Sequence, residues 1–107
     1  MIIIDDFAKI ELKIAQIKEV EEHPNADRLY VLKIDCGEEN LRQLVAGIRK
    51  GYSKEELIGK KIVIVANLEP AVIRGVESQG MLLAASDENG IAILMPEKDV
   101  KVGSKVK

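Results

Sequence analysis

The chain has 107 residues, of which 47 % are apolar and 32 % charged, with a formal net charge of −2. That length sets a single domain, residues 1–107, with its own core, and that hydrophobicity excludes a disordered chain. One cysteine and one histidine exclude an intramolecular disulfide, a multi-cysteine metal site and a histidine cage.

Lys9 to Glu22 opens the pattern. Ile10, Leu12 and Ile14 alternate with charged residues, as in a half-buried strand. Ile17 and Val20 fall out of step, and a helix would also align Ile10, Ile14 and Ile17. The β-branched content favours a strand, with a bulge expected near Ala15 to absorb the slip. His23-Pro24-Asn25-Ala26-Asp27 reads as a turn, because proline fixes φ and Asn and Asp bond locally. Leu29 to Ile34 is a second strand, Asp35 to Asn40 a hairpin, and Leu41 to Ala46 a third strand. Ser53 and Glu56 stand at capping-box spacing with Gly59 at the exit, which predicts one short helix. Lys61 to Ala66 is apolar on both faces and so central to a sheet. Asn67 to Gly80 reads as a loop, and Met81 to Ala85 as a fifth strand. Asn89-Gly90 signals a two-residue hairpin with Ile91 to Met95 returning. Val100, Val102 and Val106 anchor a lysine-bearing tail.

Three strands, a helix and further strands is the order of an OB-fold, an all-β, five-stranded Greek-key barrel. The segments before Ile10 and after Met95 are extensions to that barrel. Their apolar residues, Ile2 to Ile4, Phe7 and the tail valines, need cover. A dimer interface or a second small sheet would supply it.

Catalytic constellations are missing. His23 precedes proline in a turn, where a structural or solvated role outweighs catalysis. Cys36 ends a strand, has no histidine beside it, and reads as structural. Asp5-Asp6, Glu21-Glu22 and Glu38-Glu39 fall at turns and ends as solvated charge. Gly47-Ile48-Arg49-Lys50-Gly51 lacks the spacing of a phosphate-binding loop. The expectation is a protein that is not an enzyme and needs no cofactor. No apolar run of about 18 residues and no basic-then-apolar leader occurs, so the cytoplasm is the expected compartment.

Basic residues divide into two groups. Lys54, Lys98, Lys101, Lys105 and Lys107 lie on the helix or tail as a solubilising surface. Arg28, Lys33, Arg42 and Arg74 lie on or beside the elements of an OB-fold binding face. Phosphate contacts and ion pairs with neighbouring glutamates are both open to them. Asn67 to Ala85 sets Arg74 between Pro70 and Gly75 and follows it with Ser78-Gln79-Gly80. Such a loop offers backbone N–H groups, a hydroxyl, an amide and a guanidinium to phosphate and sugar oxygens. Phe7, Tyr30 and Tyr52 are the only aromatics. Base stacking is therefore a minor mode, and shape with backbone contacts must dominate.

Two of these segments, His23 to Tyr30 and Asn67 to Ala85, resemble the tRNA-binding domain family, about forty residues apart and in the family's order. That domain occurs free-standing and appended to methionyl-tRNA synthetases. Leu41-Arg42-Gln43-Leu44-Val45-Ala46-Gly47-Ile48 is similar to the family's third strand, and Tyr52 to Lys61 to its helix. The resemblance covers nearly the whole chain. It implies an OB-fold with extensions, homodimerisation through them, and structure-specific binding of tRNA. It also implies a partner methionyl-tRNA synthetase, assisted in cis or in trans. By position it implies contacts from Arg28, Lys33, Arg42, Asn67, Arg74, Ser78 and Met81. Other members commonly carry lysines where this chain has Glu69 and Val72, which leaves Arg74 as the loop's main cation. The alternative expectation is a protein-binding module on the same barrel, either a docking domain in a synthetase complex or a peptide-binding chaperone. A dimerisation domain with incidental RNA binding is a third.

Overall fold

A computed structural model describes all residues, 1–107. The main sheet runs β3-β2-β1-β4-β7, and its strands are Leu12–Glu22 (β1), Tyr30–Asp35 (β2), Arg42–Ala46 (β3), Lys61–Val65 (β4) and Met81–Leu82 (β7). All of its pairings are antiparallel. The two ends of the order approach each other, and just before β7 Gln79 N–H donates to Gln43 O of β3 at 2.7 Å. The sheet curls into a nearly closed barrel of the OB type, as expected from the element order.

Inward positions follow the period of two. Ala15, Ile17, Leu32, Ile34, Leu44, Ile62 and Ile64 are buried in one core. The bulge in β1 falls between Ile17 and Glu19, not near Ala15 as expected. Lys18 is the extra residue, so Lys18 and Glu19 both face out and Val20 returns to the core. The phase slip is thus absorbed after Ile17, where two charged residues in succession can both reach water.

The expected helix forms as Lys54–Leu57 (α2). Ser53 Oγ accepts from Glu56 N–H, Glu56 Oε2 accepts from Ser53 N–H, and Leu57 plugs the barrel end. A helical turn at Ile4–Phe7 (α1) was not legible in the sequence. Its four residues bury none of their side chains, so no amphipathic stripe marks it.

Two departures concern the second half. Ala71–Ile73 (β5) and Val76–Ser78 (β6) form a hairpin where a loop is expected. Three-residue strands are too short to show alternation. The expected fifth strand is split: Met81–Leu82 pairs with β4, whereas Ala84–Asp87 (β8) leaves the barrel and pairs with Gly90–Ile93 (β9). The apex of that second hairpin is Glu88-Asn89 rather than Asn89-Gly90, with Asp87 Oδ1 accepting from Asn89 N–H at 2.8 Å. Lys105–Val106 (β10) returns to pair with β1, and Lys61 Nζ pins the tail through Asp99 Oδ1 at 2.7 Å and Val100 O. No helix is long and apolar enough to cross a membrane.

Candidate nucleic-acid interface

The β5–β6 hairpin turns in two residues, Arg74 and Gly75, between the paired residues Ile73 and Val76. Arg74 has φ 52° and Gly75 φ 92°. Both are left-handed, which makes a type I′ turn, a geometry usually given to Asn-Gly or Gly-Gly. Arg74 is the chain's one non-glycine residue with positive φ.

The turn is held by the loop between β1 and β2. His23 is 4 % exposed. Its Nδ1 accepts from Asn25 N–H at 2.9 Å and its Nε2 donates to Ile73 O at 2.9 Å. Those partners require a neutral ring protonated on Nε2. Asn25 Nδ2 donates to Arg74 O at 3.0 Å, and Arg74 Nη2 donates to Asn25 O at 3.2 Å. The segment after β3 joins them: Arg49 N–H donates to Arg28 O, and its guanidinium reaches Ala26 O and Glu22 Oε2.

Arg28 and Arg74 therefore share one cleft of about 470 Å³, completed by Asn25, Ala26, Asp27 and Leu29. Both arginines are exposed and neither takes part in an ion pair. Asp27 stands in the same wall and moderates the positive field. In the sequence Arg49 and the exposed Lys50 beside it count only as part of Gly47-Ile48-Arg49-Lys50-Gly51, which lacks phosphate-loop spacing, and not as candidate contacts. The basic pair was visible, but only the fold brings the residues after strand three against the first loop.

The other site residues expected from the sequence lie elsewhere. Lys33, on β2, donates through Nζ to Gln43 Oε1 across the strand pair at 2.9 Å. Met81 is 48 % exposed on β7. Asn67 spends both ends of its amide on the N-terminal extension, accepting from Glu11 N–H and donating to Lys9 O. Ser78 is 3 % exposed, and its hydroxyl accepts from Val45 N–H and donates to Gly80 O.

Arg42 is a clamp at the barrel seam. Its Nη1 donates to Ala66 O and Gln79 O, at 2.6 and 3.1 Å. Its Nε and Nη2 grip the two carboxylate oxygens of Glu38 at 2.8 and 2.7 Å. That bidentate grip, with the Cys36 thiol donating to the same carboxylate, pulls Glu38 down from 4.5 to about 2. Burial, then the Glu38 contact, pushes the Cys36 thiol up, which keeps it protonated and unreactive. Gln79 completes the seam through its side chain, accepting from Gln43 N–H at 2.8 Å.

A pH dependence follows. A carboxylate whose folded pKa is depressed stabilises the fold above its unfolded value and loses that contribution as it protonates. Stability is expected to fall as pH drops from about 4.5 through about 2. Glu38→Gln should flatten part of that decline in urea titrations run across the range. An unchanged profile would mean that the Glu38 grip contributes nothing to stability.

A five-stranded barrel of this element order, with two of its loops joined over a cleft, defines a domain of the OB type. The chain belongs to the family described as "Putative tRNA binding domain", whose model matches residues 12–105. The methionine–tRNA ligase of Thermococcus kodakarensis is 59 % identical over 103 residues, which make up 96 % of this chain and 14 % of that enzyme. The chain thus spans about a seventh of such a relative's length. The crystal structure of a MetRS-related protein from Pyrococcus horikoshii superposes with a TM-score of 0.90 at 36 % identity, covering 100 % of this chain and 98 % of that one. The chaperone CsaA of Bacillus anthracis superposes at 0.89 and 31 % identity, with 100 % and 99 % covered.

Proposed function

We propose that the domain is a non-catalytic module that binds tRNA by shape, with Arg28 and Arg74 on phosphates at the cleft between the two joined loops. The observation that carries this reading is the conformation of Arg74. Left-handed backbone costs a side-chain-bearing residue roughly 1–2 kcal/mol, and asparagine or glycine would suit the turn better. An exposed arginine there has no carboxylate partner, and with only Nη2 bonded within the chain, to Asn25 O, it keeps its other guanidinium donors free for a ligand. Met81 offers a further accessible contact on the same barrel, and Lys33 another once its Nζ leaves Gln43 Oε1. Arg42, Asn67 and Ser78 support the site through the walls they hold, since their polar atoms are already bonded within the chain.

The module works in the cytoplasm with a methionyl-tRNA synthetase, in cis or in trans. Resemblance to one stretch of such enzymes supports this part. It acts as a homodimer through its extensions. Ile2, Ile3 and Ile4 are largely exposed beside a small apolar hollow of about 220 Å³ formed with Phe7, Ile10 and Val106, which suits a second copy.

Filter binding of folded tRNA at varied salt tests the reading. Saturable binding is expected, with a log–log slope of roughly −0.7 to −0.9 for each phosphate contact. Absence of saturable binding at low salt would remove the proposal. A second reading, a protein-binding module, is favoured by exposed Leu41 and Leu68 beside the Arg42 clamp and by the chaperone among the similar structures. Unfolded peptide that competes with tRNA at the barrel face would support it.

A further inference from the structure

A hairpin with three-residue strands has little stability of its own. This one is anchored at both ends. Ser78 and Gln79 fix its base to β3, and His23 and Asn25 fix its tip. The tip contacts decide where Arg74 points. Arg28 belongs to the same loop as His23, so whatever ties that loop to the hairpin also sets the spacing of the two guanidinium groups.

His23 suits this task by its chemistry. The ring is buried, and each nitrogen serves a different segment: Nδ1 closes the loop on Asn25 N–H, and Nε2 crosses to Ile73 O, one residue before Arg74. An apolar residue of similar size would fill the space but make neither bond. Asparagine could replace the first bond, since its side-chain oxygen accepts from the N–H two residues on. It is too short for the second. Glutamine can reach across but fits the first poorly.

We propose that His23, assisted by Asn25, is a positioning residue that holds the Arg74 turn at a fixed distance from Arg28, so that both arginines engage neighbouring phosphates together. The proposal rests on the tRNA reading for its purpose, but the positioning itself is measurable without RNA. In the whole chain, NMR order parameters for the backbone amides of Arg74 and Gly75 report whether the turn is held. They are expected to fall from about 0.85 towards 0.6 or below in His23→Asn and Asn25→Ala, and to stay high in His23→Gln. Asn25 is exposed, so its variant remains informative if a His23 variant fails to fold.

With folded tRNA as the probe, His23→Asn is expected to weaken binding about tenfold at about 50 mM salt. It should make the log–log slope shallower by roughly 0.7–0.9, and have no further effect beside Arg74→Ala. An Arg74 that stays rigid in folded His23→Asn and Asn25→Ala would overturn the positioning role whatever the RNA does. So would equal losses in the wild-type and Arg74→Ala backgrounds. A turn that loosens in a wild-type protein unable to bind tRNA would uphold the positioning and remove the functional reading instead.

Discussion

An Arg28→Ala, Arg74→Ala double variant is expected to bind folded tRNA about a hundredfold more weakly than the parent chain at about 50 mM salt. Each phosphate contact contributes roughly 0.7–0.9 decades of affinity per decade of salt. Relative to molar salt, that amounts to about tenfold per contact at about 50 mM. Removing both guanidinium groups should also make the log–log slope shallower by about 1.4–1.8. The weakening should be alike for different tRNAs, because phosphates position a ligand and carry no sequence. Neither side chain is buried, so thermal stability should hardly change. Relief of the strained Arg74 backbone needs glycine rather than alanine, so Arg74→Gly should bind as weakly as Arg74→Ala but fold more stably. Binding that drops for only one tRNA, or that keeps its salt slope, would contradict phosphate recognition at this cleft.

Replacing Arg42 by methionine is expected to cost about 3 kcal/mol of stability. The guanidinium is mostly shielded, with side-chain exposure of 21 %, and it supplies donors to two backbone carbonyls, one just after β4 and one just before β7. Methionine fills much of the volume but leaves those carbonyls without Arg42's donors and removes the grip on Glu38. Urea unfolding should show a midpoint lowered by about 1–3 M with an unchanged slope. Glu38→Gln should cost less, because Glu38 is half-exposed and the bonds to Ala66 O and Gln79 O survive. Equal costs for the two variants would mean that the surface ion pair, and not the backbone clamp, is what matters.

The barrel was legible because its core obeys simple periods. Alternation in β1 and β2, the capping box at Ser53 and the doubly apolar β4 each report a local rule that the fold respects. The order of the elements then leaves few topologies. The hairpin at Arg74 was hidden for the opposite reason. Its strands are too short for a pattern, and its turn uses a residue that propensity disfavours. Arg74 itself was picked out by its neighbours and by resemblance. Its strained φ, the feature that most strongly marks it, exists only in three dimensions. Arg42 and Ser78 show a different limit. A cation or a hydroxyl on a binding strand looks the same in sequence whether it faces solvent or bridges a seam. The decisive partners of Arg42, Ala66 O and Gln79 O, are backbone atoms 24 and 37 residues away. Asn25, His23 and Arg49 matter through contacts between loops, which no local spacing encodes.

The join between β3 and the segment from Ser78 to β7 has a consequence for how the barrel breathes. Elsewhere the strands are laced by ladders of main-chain bonds. Here a single main-chain bond, Gln79 N–H to Gln43 O, stands among side-chain ones: Gln43 N–H and Val45 N–H are answered by the side chains of Gln79 and Ser78, with Arg42 bridging beside them. Side chains can let go by rotating, which leaves one main-chain bond to break instead of a ladder. The barrel therefore has a built-in zip, the place where its amides should first meet deuterium and where the cylinder can open into a sheet while the rest of the core stays shut.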